Sequence, residues 1–419
     1  MLVLVLVGCG ASPLPLPEPT ALTTAPILST PTTPLPSAAI QSPPPTLELW
    51  TTERGAALTL VGGFIADFQR ETGVKVHLQA KTPVGLRADL VAAALSGTPL
   101  PQLFWGDQDD LAGLLADGQL QAFPAGAWEG ASLPATLVGA RRDGQVWGMP
   151  VTAQGTLFIV INRALTSKLP QTTDELIVAS RAVHSDAHVG IVAGWAQARW
   201  LLAWLDGFGG SPTDATGLQP TLDTAEMRSA LNLLLELRAA TLPQQVNYLA
   251  GQQLFKHAEA AIIVEGDWAL AGYQALEPKL DLEIGPLPLV PATGRSAQTP
   301  LGASYLMLQR DLAPAQVAQA QALGEYVRRN DIQVRLAETL GRLPAVQQSL
   351  VDPTLKSNPH VNAALVHALT APGLPPTQAA RCALQAIEDW LPALIEGKRT
   401  QDETAQEMQR AAEACSNKT

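Results

Sequence analysis

The sequence predicts an α/β fold distributed over two lobes, and two observations lead to this prediction. First, 419 residues exceed what one compact core usually needs, so two lobes or two domains are expected. Second, short apolar runs alternate with amphipathic helical stretches after about residue 46, which is typical of a largely parallel sheet with helices on its faces. Ligands of such sheets bind beyond the carboxyl ends of the strands. The strand ends are therefore where we expect a binding site.

The N-terminal residues predict attachment to a membrane by lipid. Residues 1–7 are uniformly apolar and run into Leu6-Val7-Gly8-Cys9, which has the pattern of a lipoprotein processing box with Cys9 as the acylated residue. Residues 1–9 are short for a signal peptide and contain no basic residue, which favours a start codon upstream. An ordinary cysteine in an apolar terminus is the alternative. No run of eighteen apolar residues occurs, so no transmembrane helix is predicted.

Residues 10–46 predict a tether between the anchor and the folded part. The segment consists mainly of Pro, Thr, Ser, Ala and Leu with almost no charge, and it lacks helical or strand periodicity. Pro-rich chain favours extended polyproline II at about 3.1 Å per residue, so roughly 35 residues reach on the order of 100 Å. Such a tether would lift a domain away from the membrane.

The folded part begins with two strand-helix-strand units. Residues 47–50 predict the first strand, the apolar residues from Val61 to Phe68 recur at helical spacing, and Gly73 is typical of a helix end. A strand at 74–78 completes the first unit. The later predicted elements are a helix at 86–94, strands at 103–105, 157–161 and 260–264, a helix at 227–235, a Pro-broken crossover at 286–291 and mostly helical sequence from Pro314 onward.

Polar side chains follow two of the predicted strands. Thr52 and Glu53 come after the first strand, and Asp107 follows the strand that ends near Trp105. Because the carboxyl ends of parallel strands meet at one edge of a sheet, we expect these three side chains to face a ligand. Helix capping is the alternative for the acidic run that begins at Asp107, and it is the preferred interpretation of Asp109 and Asp110.

Composition and motifs exclude several classes of function. The formal net charge of -11 and the scattered basic residues argue against nucleic acid as a partner. No Gly-x-Ser-x-Gly motif, no Gly-Lys-Ser phosphate loop and no set of nucleophile, base and orienting group is found, so we predict no enzymatic activity and no cofactor. His184 and His188 have a spacing compatible with a metal, but we expect a surface loop there and no metal site.

Several consecutive pieces of the chain point to one family, and their order matters more than any single piece. They are 64–76 (FIADFQRETGVKV), 95–99 (LSGTP), 106–107 (GD), 148–150 (GMP), 161–163 (INR), 207–210 (GFGG), 260–268 (AAIIVEGDW), 285–288 (GPLP) and 341–345 (GRLPA). Together they cover essentially everything after the tether. The sequence therefore resembles the extracellular solute-binding protein family 1, the maltose-binding-like receptors of ABC importers.

The resemblance implies a periplasmic-binding-protein type II fold with two discontinuous lobes, a hinge and a C-terminal helical segment. We expect lobe 1 at 47–160 plus 298–345 and lobe 2 at 162–295 plus 350–419. The ligand would lie in the cleft between the lobes and would favour their closure about the hinge. Implied partners are the permease subunits of an importer, and a monomer is the default because the sequence gives no signal for oligomerisation.

The implied function is an extracytoplasmic receptor, held by its lipid anchor at the outer face of the membrane, that captures a sugar or an oligosaccharide for import. Two alternatives stay open. One is a receptor for another solute, such as a polyamine, glycerol phosphate or a metal chelate. The other is a ligand sensor for a membrane kinase.

Sugar receptors of this family stack aromatic rings on the sugar and surround its hydroxyls with polar and charged side chains. The segment 265–268 matches the family motif that carries a cleft tryptophan, while a packed core is the alternative for the tryptophans and for Tyr305. Ile161 replaces the aromatic residue of the family's Tyr-Asn-Lys motif, so the ligand of a relative does not transfer directly. The implied ligand contacts are Trp268, Asp267, Glu265, Trp195, Arg199, Trp200, Ser304 and Tyr305.

Cysteine usage is consistent with an extracytoplasmic location. Besides Cys9 the chain has two cysteines, Cys382 and Cys415, and both lie in the helical C-terminal segment. Adjacent antiparallel helices would bring the two sulfurs within bonding distance, so we predict a disulfide. Two free thiols are the alternative.

Overall fold

Two β-sheets, each with helices packed against it, organise the part of the chain that the computed structural model describes. That part comprises residues 46–82, 85–240, 247–274, 276, 279–357 and 359–417. It falls within one compact unit, from Pro44 to Thr419. The predicted lipoprotein box with Cys9 and the tether up to residue 45 lie outside the described residues.

The strands and helices are numbered here along the chain. The strands are β1 (Leu47–Thr51), β2 (Val76–Ala80), β3 (Leu103–Gly106), β4 (Leu120–Gln121), β5 (Arg141–Arg142), β6 (Gln145–Val146), β7 (Met149–Gln154), β8 (Leu157–Asn162), β9 (Val189–Val192), β10 (Ala260–Gly266), β11 (Leu282–Pro286), β12 (Leu289–Val290), β13 (Arg295–Ser296), β14 (Gly302–Gln309) and β15 (Leu343–Pro344). The α-helices are α1 (Gly55–Thr72), α2 (Leu86–Ser96), α3 (Gln108–Ala116), α4 (Ala127–Ala131), α5 (Pro134–Val138), α6 (Thr173–Val183), α7 (Ala198–Gly207), α8 (Ala225–Ala239), α9 (Tyr248–Lys256), α10 (Asp267–Gln274), α11 (Pro314–Val327), α12 (Asn330–Leu340), α13 (Pro353–Ser357), α14 (Pro359–Ala368), α15 (Gln378–Ile395) and α16 (Gln401–Ser416). A 3-10 helix spans Gln347–Val351.

The first sheet forms the centre of lobe 1. Its strand order is β15-β7-β14-β3-β1-β2, with β4 beside β14. Helix α1 buries the apolar side chains from Val61 to Phe68 that recur at helical spacing, and it ends at Gly73, whose φ of 74° is left-handed. Strand β1 follows directly from the described N-terminus and pairs with β2 and β3 in parallel. The loops after β1 and β3 therefore lie at the same edge of this sheet.

The second sheet forms the centre of lobe 2. Its strand order is β11-β8-β10-β9, and every residue of β8, β9 and β10 is buried. Helices α7, α8, α15 and α16 pack together in the same apolar core. The sulfurs of Cys382 on α15 and Cys415 on α16 are bonded, with their Cα atoms 5.7 Å apart.

Both sheets are mixed, which corrects the expectation of a largely parallel arrangement. Strand β14 is antiparallel to both β3 and β7, and β8 is antiparallel to both β10 and β11. The reason lies in the connections: β14 enters lobe 1 after the chain has passed through lobe 2, so no crossover helix of lobe 1 sets its direction. Parallel pairing is kept where a helix connects neighbouring strands, as in β1 and β2.

The first passage between the sheets lies at Gly155 and Thr156. Strand β7 ends at Gln154 in the first sheet, and β8 begins at Leu157 in the second. The sequence interpretation ended lobe 1 at residue 160, which assigns most of β8 to the wrong sheet. The chain returns to the first sheet between Ser296 and Gly302. Among the described residues, no helix is both long enough and apolar enough to span a membrane.

Candidate ligand-binding cleft

A cleft lies where the chain passes between the two sheets. It contains two cavities of about 410 and 390 Å³, and Gln154 at the end of β7 and Arg199 on α7 line both of them. The larger cavity is lined from lobe 1 by the start of α3 and from lobe 2 by α15. The smaller cavity is lined by Trp268 and Asp267 of lobe 2 and by Arg342 beside β15. Volumes of this size are typical of sites for small molecules.

The start of α3 supplies the acidic side of the larger cavity. Asp107 caps this helix, since its Oδ1 accepts from the backbone N–H groups of Asp109 and Asp110 at 2.9 and 3.0 Å. Asp107 and Asp109 line the cavity, so helix capping and exposure to the cleft coincide at Asp107. Gln108 also lines it, and its Nε2 donates to the carbonyl of Leu374 in the segment before α15 at 2.6 Å.

Asp110 and Thr52 lie behind this acidic side. The Thr52 hydroxyl donates to Asp110 Oδ2 at 3.2 Å, and the backbone N–H of Leu86 donates to Oδ1 at 3.3 Å. Burial, with the neighbouring negative charge of Asp107, raises the pKa of Asp110 to about 6. Thr52 therefore supports the start of α3, and its predicted contact with ligand stays a prediction.

Glu53 acts on the cleft through an arginine. Its two carboxylate oxygens accept from Nη1 and Nη2 of Arg342 at 2.5 and 3.0 Å, and its side chain is 11% exposed. Arg342 lines the smaller cavity, whereas Glu53 is not part of its lining. A bidentate pair of this kind fixes the plane of the guanidinium group. The structure thus places Glu53 as the residue that orients Arg342.

Trp268 presents an aromatic face to the cleft. Trp268 is 48% exposed, a large fraction for so large an apolar residue. Its Nε1 donates to the Tyr248 hydroxyl at 2.9 Å, and its edge packs against Trp200 with ring centres 6.0 Å apart at 78°. The guanidinium carbon of Arg199 lies 5.6 Å from the ring centre. These contacts hold the ring in one orientation while about half of the residue stays accessible at the cleft.

Glu265 is the buried hydrogen-bond acceptor for Tyr248, the residue that holds Trp268. It is fully buried and accepts hydrogen bonds from the hydroxyls of Tyr248 and Tyr273, from Gln252 Nε2 and from its neighbour's backbone N–H. Burial, together with the adjacent charge of Glu265, raises the pKa of Tyr248 and the pKa of Tyr273 above the ordinary value for tyrosine. Both hydroxyls therefore stay protonated and act as donors. The predicted ligand contact from Glu265 is corrected, since its oxygens are already bonded inside the protein.

Three further predicted contacts lie in the core. Trp200 is 2% exposed and donates from Nε1 to the carbonyl of Val264, and Tyr305 is fully buried with its hydroxyl donating to the carbonyl of Thr136. Ser304 shares a hydrogen bond with the buried Thr152. These side chains are satisfied within the protein, which corrects their predicted place at the ligand.

Trp195 and Asp267 occupy two different positions. Trp195 is buried and lines a separate cavity of about 410 Å³ on lobe 2, together with Tyr248 and Pro392. Asp267 lines the smaller cavity of the cleft but is only 6% exposed, and its carboxylate accepts from the backbone of the passage between the sheets. Burial raises the pKa of Asp267.

Several residues of the cleft were not predicted. Arg381, Gln385 and Glu388 project from one face of α15 into the larger cavity, and Gln154 and Arg342 lie beside the passage. The spacing of the three α15 residues is that of the polar face of any amphipathic helix, so it does not distinguish a cleft from solvent. Within the described residues, no group of three or more His, Cys, Asp or Glu side chains is arranged to hold a metal ion.

Most of the chain matches the model of one protein family. A family model described as bacterial extracellular solute-binding protein matches residues 63–363. The maltotriose-binding protein of Pyrococcus abyssi (strain GE5 / Orsay) is 25% identical over 237 residues, which make up 55% of this chain and 52% of that protein. The match thus spans about half the length of this relative.

Solved structures resemble the fold closely. A cyclo/maltodextrin-binding protein complexed with maltotetraose superposes with a TM-score of 0.78 at 19% identity, over 90% of this chain and 98% of that one. The maltose/maltodextrin-binding domain of Bdellovibrio bacteriovorus bound to maltotriose gives a TM-score of 0.72 at 20% identity, over 88% and 99% of the two chains. These likenesses confirm the predicted two-lobed type II fold.

Proposed function

The chain belongs to the family of bacterial extracellular solute-binding proteins, and on that premise we propose that it captures an oligosaccharide of the maltodextrin class in the cleft between its lobes. The observation that carries the proposal is Trp268, an exposed aromatic residue held in place at a cleft that is also lined by amide, carboxylate and guanidinium side chains. Aromatic faces stack on the apolar faces of sugar rings, and amide, carboxylate and guanidinium groups bind sugar hydroxyls. The cleft offers both kinds of contact.

The charges of the cleft also favour a neutral polyhydroxylated ligand. The larger cavity carries carboxylates from Asp107, Asp109 and Glu388 and guanidinium groups from Arg199 and Arg381. Because both signs are present, neither a polyanion nor a polyamine finds a uniform counter-charge. The relatives named for maltotriose and maltotetraose binding support the choice of an α-glucan among neutral sugars.

The proposed role in the cell is delivery of the bound sugar to the permease subunits of an ABC importer. The family is extracellular, which places the chain outside the cytoplasm. We further propose that acylated Cys9 and the tether hold it at the outer face of the membrane. Metabolic labelling with a fatty acid tests the anchor: label should enter the native chain and be absent from Cys9→Ser. Label that persists in that variant contradicts the anchor.

A binding screen tests the ligand. Isothermal calorimetry with maltotriose and maltotetraose, alongside cellotriose, spermidine and glycerol phosphate, should give binding for the two maltodextrins alone. Ligand at about 100 times its dissociation constant stabilises the folded state by roughly 2.7 kcal/mol, which should appear as a rise of several degrees in thermal unfolding. Binding of spermidine or glycerol phosphate without binding of any sugar would overturn the proposed ligand class and keep the receptor.

A further inference from the structure

The passage from lobe 1 to lobe 2 is only two residues long and is held by one carboxylate. The backbone N–H groups of Gly155 and Thr156 both donate to Asp267 Oδ2, at 2.7 and 3.2 Å. The carbonyl of Thr156 accepts from the backbone N–H of Asp267 at 3.0 Å. Three of the four backbone polar groups of the passage are therefore bonded to this one residue.

The fourth group is held by two other side chains. The carbonyl of Gly155 accepts from the hydroxyl of Thr299 at 2.9 Å and from Arg199 Nη1 at 3.2 Å. Thr299 belongs to the segment that returns to lobe 1, and its hydroxyl also accepts from the N–H of Leu157. Gly155 has a φ of 94°, a left-handed backbone conformation that residues with a side chain rarely adopt, so glycine is favoured at this position.

Asp267 also stands next to the aromatic ring of the cleft. Helix α10 begins at Asp267, and Trp268 is its second residue. Asp267 is 6% exposed, whereas Trp268 is 48% exposed. The carboxylate is thus turned into the protein toward the passage, while the following side chain faces the cleft.

We propose that Asp267 is a positioning residue that fixes the backbone of the passage and ties its position to that of Trp268. A ligand that stacks on Trp268 then acts on the residue adjacent to the one that holds the passage, so ligand contact and hinge geometry are linked. The inference rests on the proposed function in one respect, namely that Trp268 contacts the ligand. The part that concerns the passage does not depend on any ligand.

Hydrogen exchange measured by mass spectrometry tests the passage. In Asp267→Ala, the amides of Gly155 and Thr156 should exchange about tenfold faster or more, since each loses its hydrogen bond to Asp267 Oδ2. Asp267→Asn keeps the volume and one acceptor oxygen, so it should give a smaller increase. It takes the place of the alanine variant if that variant does not fold. Exchange at these amides as slow as in the native protein, in a folded variant, overturns the proposal.

A double-mutant cycle tests the link to the ring. Trp268→Ala should weaken maltotriose binding in the native background and should weaken it clearly less in Asp267→Asn, because the ring is no longer tied to the passage. Equal losses in the two backgrounds overturn the link. Failure of maltotriose to bind the native protein counts against the proposed function, while the exchange rates still decide the role of Asp267 at the passage.

Two controls separate this role from a general loss of stability. Asp206→Asn alters another partly buried carboxylate of lobe 2, whose partner is Arg295 at 3.6 Å, and it should leave exchange at the passage unchanged. Thr299→Val removes the second support of the passage but does not touch the chain next to Trp268. It should speed exchange at Leu157 and leave the contribution of Trp268 to binding unchanged. Loss of that contribution in Thr299→Val would contradict the proposal that Asp267 in particular ties the passage to Trp268.

Discussion

Replacing Tyr248 with Phe tests whether the orientation of Trp268 is built into the protein. The Tyr248 hydroxyl accepts from Trp268 Nε1 and from Gln252 Nε2, each at 2.9 Å, and donates to a carboxylate oxygen of Glu265. Removing one oxygen atom therefore ends three hydrogen bonds at once, while the phenyl ring that packs 4.9 Å from Trp200 remains. The change is small in volume and specific in its contacts.

The expected magnitude follows from these contacts. A hydrogen bond to a charged group contributes about 1.5–3 kcal/mol, and Glu265 keeps its three other donors, so we expect the free energy of unfolding to fall by about 2 kcal/mol. With an unfolding entropy of about 2.1 cal/mol/K per residue over about 370 folded residues, that corresponds to a drop of roughly 2–3 °C in the unfolding temperature. The freed tryptophan must be ordered when a ligand binds, which costs about 0.5–1.5 kcal/mol and weakens binding about twofold to tenfold.

Tyr273→Phe is the matched control for this experiment. Its hydroxyl donates to the other oxygen of the same carboxylate at 2.7 Å, whereas the acceptor of Trp268 Nε1 is the Tyr248 hydroxyl. Thermal unfolding should show a similar loss of stability for the two variants, and calorimetry with maltotriose should show weaker binding for Tyr248→Phe alone. Equal affinities in both variants would refute the reasoning, because the loss of the hydroxyl next to Trp268 would then have no effect on ligand.

Three further changes have expected outcomes. Trp268→Ala should weaken maltotriose binding about tenfold or more in calorimetry, as expected for the central aromatic contact of a site; unchanged affinity would remove Trp268 from the site. Because the pKa of Asp110 is raised to about 6 from 3.8, its contribution to stability is complete below about pH 4 and is lost as pH rises through about 6, up to about 3 kcal/mol. Thermal unfolding from pH 4 to 7 should therefore show a larger fall in the native protein than in Asp110→Asn, and parallel curves would contradict this. In a Cys9→Ser background, thiol titration of the denatured, unreduced chain should find no free thiol, and Cys382→Ala should lower the free energy of unfolding by about 3 kcal/mol; two titratable thiols would contradict the bond.

The order of strands and helices was predictable from the sequence, but the sheet to which a strand belongs was not always so. All six residues of β8 are buried, and five of them are apolar. A strand covered on both faces carries no alternation that would show which lobe it joins. Gly155 lies at the passage and has a left-handed φ. Many other glycines of the chain also have a left-handed φ, so this glycine does not identify the passage in the sequence.

A site residue was predictable from the sequence where a local motif contains it. It was not predictable where its position depends on residues far away along the chain. Trp268 follows from a motif, and the structure places it at the cleft. Tyr305 is also an implied ligand contact, yet β14 runs through the middle of a sheet, so its side chain is enclosed. Arg342 is held at the cleft by its ion pair with Glu53, which lies 289 residues away along the chain. No periodic pattern in the sequence predicts such a pair.

The network under Trp268 argues that this part of lobe 2 is built for orientation more than for stability. A buried carboxylate is costly to desolvate, and among the described residues Glu265 has four hydrogen-bond donors and no cation. An apolar residue would fill the same space without that cost, but it would leave the tyrosine hydroxyls without an acceptor and Trp268 without its partner. A fully bonded polar network instead allows one arrangement of its members, so the exposed ring above it has one orientation before any ligand arrives. Pre-orientation of this kind lowers the entropy lost on binding, which is the property a receptor for a small sugar needs.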